Sequence, residues 1–108
     1  MTFGGVGGSW KYKSKGPFLL QQDEVSTALA DFPRVDIFVA HNSPHGIHDK
    51  DDGVHVGFGA FTTYIRDHQP KVFLHGHQHR SQTSMSGETR VIGVYGHRPL
   101  VLNESGRL

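Results

Sequence analysis

The chain has 108 residues, with 11 lysines and arginines against 10 aspartates and glutamates, nine histidines and no cysteine. A formal charge of +1 leaves no electrostatic footprint for nucleic acid or an anionic membrane surface. Without thiols there are neither disulfides nor thiolate metal sites, so any metal must be held by His, Asp, Glu or Asn. A chain of this length buries roughly two thirds of its unfolded surface, and residues 1–108 are taken as one domain or part of one.

The N-terminal stretch "MTFGGVGGSW" has neither the charged start nor the apolar core of a secretory signal. The longest apolar runs, such as "VDIFVA", fall far short of the ~20 residues of a membrane-spanning helix. The expectation is therefore a cytoplasmic protein with no membrane partner. The glycines of "FGGVGGS" permit close backbone approach, but they fit neither a dinucleotide fingerprint nor a P-loop. "WKYKSK" mixes aromatic and basic side chains that could stack on bases. With no wider basic patch it reads as a solvated loop, and nucleic acid is not expected as a partner except as a substrate.

From Gln22 to Phe32 the apolar residues Val25, Ala28, Leu29 and Phe32 recur at helical spacing, which predicts an amphipathic helix stopped by Pro33. "RVDIFVA" is short, apolar and β-branched, and predicts a buried strand ending at Ala40. A loop rich in His, Asp and Gly follows from His41 to Gly57. Phe58, Phe61 and Ile65 define the apolar face of a second helix, with Asp67 and His68 in its last turn and Pro70 just beyond. "KVFLH" predicts another buried strand. "SQTSMS", "TRVIGVY" and "PLVLN" predict a β meander, the first two strands joined by a turn at Gly87 and Glu88. Alternation of this kind predicts an α/β layer with functional residues in loops beyond the C-terminal ends of strands. His41 and the run His75, His77, His79 both fall there. Histidines crowded in this way serve as neutral ligands, as a proton shuttle, or as plain loop residues.

The segments "AHNSPHG" and "LHGHQH" resemble the last two signature motifs of calcineurin-like metallophosphoesterases, in which a His closes one strand and Gly-His-x-His closes the next. "FGGVGGS" also resembles the strand and turn that precede this half, so the likeness runs from about Gly4 to Leu102 and covers the C-terminal half of a family domain. The fold it implies is part of the family's αββα sandwich. The activity it implies is hydrolysis of a phosphomonoester or phosphodiester by a metal-activated hydroxide. By resemblance His41 and His77 bind one metal of a dinuclear pair and His79 the other, with Mn, Fe, Zn or Ni all suited to imidazole. His45, beside Pro44, is a candidate to hydrogen-bond the substrate phosphate or protonate the leaving group, with a plain loop histidine as the alternative. Asn42 and Arg80 flank the ligand candidates and are read either as contacts to phosphate oxygens or as ordinary exposed loop residues. His75, ahead of Gly76, suits a supporting role better than direct ligation.

The family's Asp-x-His, Gly-Asp and Gly-Asn-His motifs occur nowhere in the chain. Two close metals without their bridging carboxylate repel each other, so one ion or none is expected here, with weak hydrolysis unless a separate N-terminal chain completes the site. A half-fold also leaves apolar surface uncovered, which predicts pairing with that chain or with a second copy. The loop "HGIHDKDDGVH" lacks the closing Glu of an EF-hand and reads as a solvated, substrate-side loop; His68 and His97 read as structural. Two other classes compete. A cupin needs a Gly six residues before the first His and a nearby Glu, and Lys71 and the distant Glu88 do not match it. A non-catalytic, His-rich binding or interaction module derived from a phosphoesterase is the alternative to an enzyme.

Overall fold

The structure is a computed structural model and describes residues 1–7, 9–10, 19–49, 57–76 and 82–95. It is an α/β arrangement: a five-stranded sheet with two helices on one face. Strands β1 (Phe3–Val6), β4 (Ile37–Ala40), β5 (Val72–His75), β7 (Thr89–Gly93) and β6 (Gln82–Ser86) lie in that order across the sheet. All neighbours are parallel except the β6–β7 hairpin. Two residue pairs, β2 (Ser9–Trp10) and β3 (Leu19–Leu20), form a small separate parallel ladder that the sequence pattern did not suggest.

Helix α1 (Gln22–Leu29) begins where the Glu24 side chain accepts the backbone N–H of Gln21 at 3.0 Å, and Asp23 and Glu24 suit the positive end of its dipole. It ends three residues short of the expected Phe32, because Pro33 disfavours a helical Phe32 and the chain turns out at Ala30 and Asp31. Val25 and Leu29 are buried, whereas Ala28, expected on the same face, is exposed. Helix α2 (Gly59–His68) buries Ala60, Phe61, Tyr64 and Ile65, and stops at Gln69 in the left-handed conformation. The Tyr64 hydroxyl donates to the Pro33 carbonyl at 2.8 Å and accepts the Val35 N–H at 3.0 Å, so this buried phenol is fully used. Neither helix is long and apolar enough to cross a membrane.

The strands alternate between two unlike faces. Phe38, Phe73 and Val91 are aligned in register and face the helices, where they join Val25, Leu29, Phe58, Phe61, Tyr64 and Ile65 in the main core. Ile37, Val72 and Ile92 form a smaller cluster on the opposite face with Leu74 and Val94. On that second face Ile37, Val72 and Ile92 are buried, whereas Phe3 and Val39 toward the β1 edge are 67% and 46% exposed.

The hairpin turns at Gly87 and Glu88 as expected, but its strands do not follow β5 as a meander. Strand β7 inserts beside β5 and β6 takes the edge. The residues explain this order: "RVIG" is apolar on both faces and suits an interior position, while "QTSMS" is polar and tolerates an open edge. The expected strand "PLVLN" lies outside the described residues.

Candidate functional site

Because β1, β4, β5 and β7 are parallel, their C-terminal ends form one rim carrying Gly7, His41, Gly76 and Val94. His41 is exposed, immediately beyond β4. Gly76, immediately beyond β5, donates its N–H to the His41 carbonyl at 2.8 Å. A Cβ at Gly76 would lie 3.9 Å from His41 Nδ1 and 3.8 Å from the Val94 carbonyl oxygen. The His41 imidazole therefore stands beside the residue that precedes His77 in sequence. His77, His79 and Arg80 lie outside the described residues, as do Asp51, Asp52, His55 and His97.

The loop after His41 is tied down at both ends. Phe58 N–H donates to the Ser43 carbonyl at 2.9 Å and His45 N–H to the Phe58 carbonyl at 3.1 Å, around a Pro44–Phe58 bridge. Asp49 accepts the N–H of Gly46 and of Gly57, each at 3.0 Å, and so joins the loop's entry to its exit. Gln22 at the start of α1 donates to the Gly57 carbonyl at 2.9 Å and accepts the Gly59 N–H at 3.0 Å. His45 presents an exposed ring on this fixed backbone, and its carbonyl accepts the Thr62 hydroxyl at 2.6 Å. Asn42 differs from the expectation of a residue open to phosphate: it is wholly buried, together with Ser43.

Behind the rim the structure assembles a group that sequence reasoning missed. His75 is 3% exposed. Its Nε2 lies 2.9 Å from His48 Nδ1, its Nδ1 lies 3.1 Å from the Gly76 carbonyl oxygen, and His48 Nε2 lies 2.6 Å from Ser84 Oγ. Burial pushes the His75 pKa down to about 4, assisted by the neighbouring His48 and partly offset by the bond to Gly76. His75 is consequently neutral throughout the physiological range. His48, read from sequence as part of a solvated loop, is half-buried and bonded to the sheet.

The one sequence signal that could have found this group is Gly93. A glycine inside an apolar strand marks close approach by another group. A Cβ at Gly93 would sit 2.9 Å from His75 Cε1, so the glycine is what admits the ring. Ser84, in register with Val91 two residues earlier on β7, shares this face of the sheet.

Among the described residues no three His, Cys, Asp or Glu side chains stand together as a metal site. They contribute one candidate ligand, His41, at the rim. The chain matches no protein-family model and no curated protein.

Proposed function

We propose that the chain is the C-terminal half of a calcineurin-like metallophosphoesterase sandwich. It supplies His41, His77 and His79 to a phosphoester-hydrolysing metal site whose acidic ligands are not among these 108 residues. The observation that carries this reading is the juxtaposition of His41 with Gly76. Two strand ends separated by a helix deliver a solvent-facing imidazole and the entry to a Gly-His-x-His turn side by side. The exposed Phe3 and Val39 on the second face of the sheet support it further, since a sandwich half extends a second layer there.

The donor set fits one ion better than two. Imidazoles suit a divalent transition metal, but the described rim and the His77–Gln78–His79 sequence offer no carboxylate to separate two positive charges. A metal held there would acidify a water and draw charge from the phosphoryl oxygens. Within this chain, His41 would anchor the ion from the β4 end, and His45 on its fixed backbone would donate a proton to the departing alkoxide. The same two exposed side chains favour a second reading, a non-catalytic module that pairs with itself or with a protein partner through them.

The test is metal content by mass spectrometry after loading with Mn²⁺ or Zn²⁺, alongside hydrolysis of bis(p-nitrophenyl) phosphate. The expected result is at most one weakly held ion per chain and negligible turnover. Turnover should appear on adding a polypeptide that bears Asp-x-His and Gly-Asp motifs. Two tight ions with turnover by this chain alone would contradict the incomplete site. Metal binding indifferent to His41→Ala would contradict the ligand assignment. A stable homodimer with no gain on complementation would favour the non-catalytic module.

A further inference from the structure

The buried hydrogen-bonded run behind the rim has a direction. The Gly76 carbonyl can only accept, so His75 carries its proton on Nδ1 and presents Nε2 as an acceptor. His48 Nδ1 must then donate to that Nε2, which leaves His48 Nε2 to accept the Ser84 hydroxyl when the ring is neutral. Donation thus runs from Ser84 through His48 and His75 to a peptide oxygen. A chain that ends on an amide carbonyl does not relay protons to a substrate. A nucleophilic serine is also poorly served: the group behind His48 is a neutral imidazole rather than a carboxylate able to stabilise an imidazolium.

Orientation is the role left. The Gly76 carbonyl belongs to the peptide bond that continues into His77. The other side of Gly76 is fixed by its N–H on the His41 carbonyl, 2.8 Å away. The fold also accepts local costs to keep the run in place. His48 has φ +63°, a left-handed conformation that non-glycine residues seldom take, and Gly46 at φ +83° precedes it in the same turn. Asp49 fastens that turn, and Gly93 gives up a side chain for the His75 ring.

We propose that Ser84 and His48 are positioning residues. They fix the tautomer and tilt of His75, and through it the Gly76 peptide at the end of β5, beside the candidate metal ligand His41. The consequence for metal binding rests on the function proposed above; the orienting run itself does not.

The test uses the full chain, with Ser84→Ala as the disrupting variant and Ser84→Thr as the conservative one. Long-range ¹⁵N–¹H spectra of the histidine rings should show His75 as the Nδ1–H tautomer. Ser84→Ala should move His75 toward the Nε2–H form, shift the His77 amide resonance and speed hydrogen exchange at the Gly76 N–H, with Ser84→Thr restoring all three. An Nε2–H His75 in the wild type, or Gly76 and His77 amides unchanged in Ser84→Ala, overturns the proposal. So does labelling of Ser84 by a fluorophosphonate, which would make it a nucleophile. Titration with Co²⁺ alone should show affinity falling about tenfold in Ser84→Ala. An undiminished Co²⁺ affinity overturns the metal-positioning role. Failure of the wild type to bind Co²⁺, with the amide and tautomer responses intact, instead contradicts the metal reading and upholds the orienting run.

Discussion

Phe38→Ala is expected to remove about 3–5 kcal/mol of folding stability, a large share of the ~5–15 kcal/mol that holds a domain of this size together. Phe38 is completely buried at the centre of the sheet's helix face. Its ring stacks on Phe73 with centroids 5.0 Å apart, lies 4.9 Å from Tyr64, and meets Phe32 and Phe61 edge-on at 5.6 Å each. It is therefore the point at which α2, the segment that follows α1 and strand β5 all meet one side chain of β4. Truncation leaves a cavity bounded by rigid aromatic rings that cannot collapse into it, which places the cost toward the upper end of the range. At roughly 4–8 °C per kcal/mol the melting midpoint should fall by well over 10 °C, read by circular dichroism. Phe38→Leu should cost considerably less. A midpoint within about 2 °C of wild type would show that the aromatic cluster is not the core of the domain.

Gly57→Ala is expected to be the next most damaging change, despite adding only one methyl group. The new Cβ would fall 2.5 Å from both the carbonyl carbon and oxygen of Pro44 and 2.6 Å from His45 N. All three are backbone atoms. The loop exit must move away from its entry, and that movement breaks the paired bonds from Phe58 N–H to Ser43 and from His45 N–H to Phe58. Each buried group left unpaired costs about 1–3 kcal/mol, so a total loss of roughly 2–5 kcal/mol is expected. Amide exchange at Phe58 and His45 should accelerate ahead of global unfolding. Gly7→Ala is the control: no atom of the described residues lies within 4 Å of a Cβ there, and a change within about 0.5 kcal/mol is expected in a denaturant titration. Equal effects of the two substitutions would contradict the close approach at Gly57.

What the sequence revealed of this arrangement followed from local periodicity. Val25 and Leu29, Phe58, Phe61 and Ile65, and the short runs ending at Ala40 and His75 are each burial patterns within one element, and each element formed where its pattern lay. The position of His41 and Gly76 on one rim was legible for the same reason, since strands joined through helices run parallel and end at one edge. The exchange of β6 and β7 was not, because sequence order normally predicts adjacency and only the polarity of "QTSMS" argued for the edge. Nor was the Ser84–His48–His75 run, whose partners are 36 and 27 residues apart in sequence. It depends on a left-handed His48 that no local pattern announces. The burial of Asn42 was likewise hidden, because it lies next to a loop whose entry and exit are joined by the Pro44–Phe58 bridge, a pairing between residues far apart in sequence.

The proposed convergence of imidazoles at the rim is tested most directly by titrating isotopically labelled chain with substoichiometric Mn²⁺ and following each histidine ring by NMR. His41, His77 and His79 should broaden together at the lowest additions. His68, at the C-terminal end of α2 and stacked on Tyr64 at the opposite edge of the sheet, should stay sharp. Broadening of His77 and His79 with His41 untouched, or uniform weak broadening of every exposed histidine, would contradict a shared metal cradle.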